Sequence, residues 1–278
     1  MGAALLALAG ACSWGVGDFV GGLMSRRLSV LTVLVVSQAV GLVGVVVWVV
    51  VARDPFPGGV ELLPAAAAGV AGVIGLGALY RGMALGAMGI VAPISAASPL
   101  VPLAVDASQG ILPSVVQSAG VLFVVAGIAT LSHEPSPDGR RRLAAGAGLA
   151  LVAALGFGAF IVGLDAGADE SAPWAVVASR ATSVMLVAVV ALIAAKPLLA
   201  PKRLLPALVL VGVFDTGANV LVAFASTKGA AGIVAVLSAL YPLVTIVLAR
   251  VLLGERLDAV RRLGGALALA GAAFVAAG

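Results

Sequence analysis

Ionisable side chains are sparse in this sequence, and three of them interrupt long apolar stretches: Asp18, Arg180 and Asp215. Placing such a group in a bilayer costs about 2.5 to 3.5 kcal/mol on insertion scales, so it normally faces a cavity or a polar partner and marks a functional site. Asp215 and Asn219 are four residues apart and share one helical face. The chemistry open to this set is recognition. Arg180 can grip an anionic group, and Asp215 can hold a proton or an amine. The alternative is a buried ion pair that fixes two helices together. Asp18, eight residues before Arg26, is placed to reach the membrane interface or the mouth of a cavity.

Four further side chains extend the set. Ser37-Gln38-Ala39 matches Ser179-Arg180-Ala181 at a separation of 142 positions, so Gln38 and Arg180 form a symmetry-related polar pair that could line one cavity. Trp14 lies mid-span, away from the interfacial belt that Trp48 and Trp174 suit, and is expected to line a cavity. Tyr241 directly precedes Pro242 and is a weaker candidate. Tyr80 is another, and interface anchoring is the simpler role for both.

Bond-making chemistry has little to work with. The only histidine is His133, the only cysteine is Cys12, and no glycine loop leads to a Lys-Ser/Thr pair that could cradle phosphates. No catalytic residue, metal or cofactor is expected, and an ATP-driven pump is excluded for this chain alone. The 16 basic residues against 12 acidic ones fall in short clusters between apolar spans, a topology signal rather than a nucleic-acid surface.

These residues must be positioned by membrane helices. Hydrophobic side chains make up 62% of 278 residues and charged ones 10%, and the mean hydropathy is +1.22, far outside the range of water-soluble domains. With about 20 apolar residues needed per crossing, the chain divides into ten spans: 2–24, 30–52, 62–80, 88–106, 114–132, 144–164, 173–195, 205–225, 231–252 and 261–278. The longest polar interruption, Ser132 to Arg142, joins residues 1–138 to residues 139–278. Pro93, Pro99 and Pro242 are expected to kink or interrupt their helices.

The two parts repeat. Gly89-Ile90-Val91-Ala92 recurs as Gly232-Ile233-Val234-Ala235, Pro99-Leu100-Val101 as Pro242-Leu243-Val244, and Trp14-Gly15 falls on Phe157-Gly158, each pair 143 positions apart. Each copy holds five spans, an odd number, so the second enters the membrane from the opposite side. The expected fold is an all-α integral membrane protein of ten transmembrane helices, built as two inverted five-helix repeats. Inverted repeats place a site near the midplane and allow alternating access, which makes a small-molecule transporter the leading reading. Translocation of a lipid or lipid-linked carrier is the runner-up, and a membrane-embedded enzyme the remote one.

The sequence resembles the EamA-like group of the drug/metabolite transporter superfamily. Trp14-Gly15, Gly232 to Ala235 with Pro242, Leu253-Gly254-Glu255, and Gly264 with Gly271 carry the resemblance. It implies export or exchange of small metabolites, amino acids or drug-like compounds without ATP hydrolysis. Glu255 has no acidic counterpart near Leu112 and is expected to pair Arg250 or Arg256 at a helix end. The expected partners are a small-molecule substrate, membrane lipid and a coupling proton, with no nucleic acid. The protein is expected in the bacterial inner membrane, as a monomer or homodimer. Thirteen basic residues follow odd-numbered spans and only Arg53 and Lys228 follow even-numbered ones, which places both termini outside; the resemblance implies the opposite.

Overall fold

The computed structural model describes residues 2–110, 112–131, 133–135, 141–168, 171–194, 200–226, 237–238 and 240–277. The repeat segment Gly232 to Ala235, the start of the ninth expected span, Lys228 and the 138/139 boundary lie outside the described residues. The helices are α1 (Gly2–Ser25), α2 (Val30–Ala52), α3 (Leu63–Leu85), α4 (Met88–Ser95), α5 (Leu100–Ser108), α6 (Val115–Leu131), α7 (Ala147–Ala166), α8 (Ala172–Ala194), α9 (Leu205–Ser226), α10 (Tyr241–Leu253) and α11 (Ala259–Ala277). Between α6 and α7, His133–Pro135 and Arg141–Leu143 pair as a short antiparallel ladder, an addition that the helical pattern does not announce.

Among the described residues, seven helical stretches are long and apolar enough to cross a membrane, the α4–α5 stretch Met88–Ser108 counted as one, and Val115–Leu131 and Tyr241–Leu253 are shorter apolar helices. The protein is therefore a multi-pass membrane protein. Two spans differ from expectation. The third runs on to Leu85. The fourth breaks after Ser95, with Pro99 at the N-cap of α5, because proline cannot donate to the preceding turn. Pro242 likewise begins α10 rather than kinking it, and Pro93 sits inside α4.

Packing follows the glycines. A Cβ at Gly15 of α1 would strike the Tyr241 carbonyl and Val244, and one at Gly158 of α7 would strike the Ser98 carbonyl and Val101. Gly69 of α3 lies against the Ser179 carbonyl, and Gly212 of α9 against the Ser37 carbonyl. Gly10 meets Ala218 as Gly75 meets Ala153. In each pair of contacts both members are displaced by 142 or 143 positions. On α6 and α11, Gly120 touches Gly271 while Gly127 touches Gly264, so those two helices cross antiparallel. Without an aqueous driving force between helices, such close backbone approach is the principal source of cohesion.

The packing partners cross the sequence midpoint. α1 and α2 pack on α9, and α1 also packs on α10. α7 and α8 pack on α3, and α7 also packs on α4 and α5. The interfaces of α2 with α8, α1 with α3 and α4 with α10 join the two groups, while α6 and α11 pack on each other and against α4.

Replacing Gly127 with Ala puts a methyl group within 3 Å of backbone atoms of α11 and should cost about 1 to 3 kcal/mol. Gly44, which has open space around it, should tolerate Ala or gain about 0.5 to 1 kcal/mol. Thermal unfolding of the two variants in detergent distinguishes these outcomes.

Candidate functional site

At the junction of the two groups lies a cavity of about 150 Å³, lined by Trp14, Asp18, Gln38, Arg180, Asp215, Asn219 and Tyr241 together with Gly72, Val73, Leu76, Ser98, Phe157, Phe160, Ile161, Ser179 and Ser183. Of the eight residues singled out from the sequence, all but Tyr80 line this one space. A cavity of this volume accommodates a single six-membered ring.

The residues that sequence reasoning passed over are mostly the repeat counterparts of those it found. Phe157 stands 143 positions from Trp14, Ile161 from Asp18, Gly72 from Asp215, Leu76 from Asn219 and Ser98 from Tyr241. Applying the repeat separation to each candidate would have found them; Phe160 carried no such signal. The cavity therefore sits where the repeat-related helices meet, but its two walls differ chemically. α1, α9 and α10 supply Trp14, Asp18, Asp215, Asn219 and Tyr241; α3 and α7 supply Leu76, Phe157, Phe160 and Ile161.

Gln38 and Arg180, themselves repeat counterparts, meet each other. The Arg180 guanidinium donates through Nη1 to Gln38 Oε1 at 2.8 Å and pairs with Asp215 Oδ2 at 2.6 Å. Its side chain is 9% exposed and that of Asp215 17%. The bridge ties α8 to α2 and α9, so the ion pair and the cavity lining are the same residues. An isolated buried charge would be untenable here, and the partners make it tolerable. Asn219 Nδ2 donates to the Asp215 backbone carbonyl one turn back at 2.9 Å. The Tyr241 hydroxyl lies 3.5 Å from Ser95 Oγ, and its ring meets Trp14 edge-on with centroids 6.2 Å apart.

Asp18 is not at the interface. It is 8% exposed, lines the cavity and has no hydrogen bond or ion pair among the described residues. Tyr80 is no interface anchor either. It is fully buried, fills the space left by Gly21, and its hydroxyl has no hydrogen-bond partner. Tyr241 is enclosed by the cavity rather than placed in a belt.

One end of the bundle is closed. Beyond Asp18, Gly21 of α1 takes the Tyr80 ring and Gly22 takes Met83 and Met88, so the ends of α1 and α3 lock together. Their counterparts, α7 and α9, form no comparable interface among the described residues. Over the closed end, Arg26 donates to the Met83 carbonyl at 3.0 Å and the Gly86 carbonyl at 3.2 Å and pairs with Glu255 Oε1 at 3.1 Å. Glu255 Oε2 accepts from Gly89 N at 3.3 Å, in the first turn of α4, where a carboxylate is favoured. Glu255 does take a helix-end ion pair, but with Arg26 rather than Arg250 or Arg256. At the other end Trp174 Nε1 donates to the Asp54 carbonyl at 3.1 Å.

The sequence profile of the EamA-like transporter family matches residues 1–133 and again residues 144–277. The chain belongs to the EamA-like transporter family. That makes it a membrane transporter of the drug/metabolite transporter superfamily. A crystal structure 18% identical in sequence superposes with a TM-score of 0.64 over 98% of this chain and 95% of its own, a likeness of fold. A comparison with curated proteins gives no match.

Because Arg180 and Asp215 compensate each other, removing one should cost more than removing both. Arg180→Ala should lose about 3 to 5 kcal/mol, and adding Asp215→Ala should recover part of it. Equilibrium unfolding of the single and double variants in mixed micelles gives the coupling energy; additive losses would mean the pair contributes nothing.

Proposed function

We propose that this EamA-like protein is a secondary transporter of a small metabolite, amino acid or drug-like compound, working by alternating access as an exporter or exchanger in the bacterial inner membrane. The observation that carries this reading is the cavity bounded by repeat-related residues, with α1 and α3 in contact at one end and no comparable contact of their counterparts α7 and α9 among the described residues. Ten crossings arranged as two inverted five-helix repeats account for it. The α1–α3 closure and the missing α7–α9 interface are then the two alternatives of a single exchangeable contact, and rocking would trade one for the other.

The moving bodies are not the sequence halves. α1, α2, α9 and α10 form one body and α3, α4, α5, α7 and α8 the other; the bodies meet where α2 packs on α8, α1 on α3 and α10 on α4, and the α6–α11 pair packs against α4. Each body draws helices from both repeats, so both repeats are needed for either body to exist. The closed end carries Arg26 and Arg27, and the excess of basic residues after odd-numbered spans supports a cytoplasmic position for it. The conformation is then outward-facing. A coupling proton fits the cavity carboxylates, and ATP has no place in the cycle.

A carrier and a channel differ in one measurable way. In proteoliposomes loaded with a mixture of unlabelled amino acids and amines, external labelled amino acids and amines should enter faster than into empty vesicles for at least one solute. Gly72→Leu, which fills the cavity, should abolish that acceleration with the protein still inserted. Entry that is the same with and without internal solute would contradict the reading.

A further inference from the structure

The charges of the cavity do not balance. Arg180 and Asp215 neutralise each other at 2.6 Å, and Gln38 occupies a further guanidinium donor. Asp18 remains, nine-tenths buried, aimed into the same space and without a partner among the described residues. Its nearest charged neighbour of like sign is Asp215, so no side chain offsets it. A carboxylate so enclosed is costly unless an occupant supplies the opposite charge or a proton.

We propose that the cavity binds a small organic ammonium ion, with the Asp18 carboxylate as its counter-charge and an apolar group of about one ring packed on the opposite wall. This rests on the transport reading and names its substrate class. Three features of the site converge on it. Trp14, one turn before Asp18 on α1, and Tyr241 on α10 are set edge-on to each other beside the carboxylate, and aromatic rings with a carboxylate are the usual cage for an alkylammonium group. Phe157, Phe160 and Ile161 line the other wall and offer contact without charge. The volume of about 150 Å³ limits the apolar part to roughly one ring.

An anion is disfavoured on the same grounds. It would enter a space with two carboxylates and one cation already engaged. The titratable and charged groups around Asp18 are Asp215 on α9, Arg180 on α8, Tyr80 on α3 and Tyr241 on α10. Of the two cavity carboxyl groups, Asp18 is the one without a side-chain ion pair among the described residues. Protonation of Asp18 would remove the counter-charge that the ammonium ion needs.

The test uses the full chain in lipid nanodiscs, with Trp48 and Trp174 replaced by Phe so that emission reports Trp14. Three probes of one shape are titrated: phenethylammonium, phenylacetate and 2-phenylethanol. Phenethylammonium should change the emission saturably, and the other two should bind at least about tenfold more weakly, since a charge-assisted contact contributes about 1.5 to 3 kcal/mol. Asp18→Asn should weaken phenethylammonium by a similar factor, and Asp18→Glu should restore part of it. Equal binding of phenylacetate or 2-phenylethanol by the unaltered carboxylate protein would overturn the proposal without any appeal to a variant. Undiminished phenethylammonium affinity in Asp18→Asn would overturn it as well. If phenethylammonium binds through Asp18 but no solute shows counterflow, the binding site stands and the transport reading falls. If a solute shows counterflow while phenethylammonium does not bind, this inference falls and transport stands.

Discussion

A guanidinium in the middle of a lipid-solvated bundle has to be answered by its neighbours, and the way Arg180 is answered organises the molecule. Asp215 and Gln38 come from helices of one body and Arg180 from the other. The contact therefore lies between the two helix groups, in the lining of the cavity. Losing either charge strands the other in low dielectric. In the proposed cycle the bridge would serve as a pivot beside the cavity.

Around this pivot, cohesion and asymmetry have different sources. Cohesion comes from glycine contacts that occur twice, once in each orientation, such as Gly15 on Tyr241 and Gly158 on Ser98. Asymmetry comes from side chains at equivalent positions that are unlike: Asp18 against Ile161, Asp215 against Gly72, Asn219 against Leu76. The repeat thus supplies two equivalent backbones, and substitution has put the carboxyl groups on one wall and left the other apolar. The same division appears at the closed end, where Glu255 secures Arg26 and the residue in its repeat-equivalent neighbourhood, Leu112, is exposed and apolar.

Much of this was legible in the sequence. Apolar runs of about 20 residues and a constant separation between matching motifs do not depend on tertiary detail, and they gave the helices and the duplication. Polar residues inside spans are costly enough that their positions point to a site, and Asp18, Gln38, Arg180, Asp215 and Asn219 all reached one cavity. The pairings of Arg180 with Asp215 and with Gln38 were among those the sequence offered, but other partners were not legible. Glu255 is flanked in sequence by Arg250 and Arg256, yet its partner, Arg26, is 229 positions away, because loops after odd-numbered spans converge at one end. Tyr80 ends a span as a belt residue would, but the vacancy at Gly21 takes its ring inward. The distance of Asp18 from Arg26 left the interface and a cavity mouth equally open, and the fold places it in the cavity because α1 spends that distance reaching the closed end. The break after Ser95 also needed the fold, since Pro93 and Pro99 alone do not say which of them ends the helix.

The central claim is that two bodies, each drawn from both repeats, exchange a closed end for an open one about the Arg180 bridge. The most direct measurement places spin labels on a Cys12→Ser background at Arg27 and Leu85 across the closed end, and at Ala52 and Ala166 across the other. Double electron–electron resonance in nanodiscs should show two distance populations for each pair, with conditions that lengthen the first distance shortening the second. A single fixed distance at both ends, or distances that lengthen together, would contradict the account.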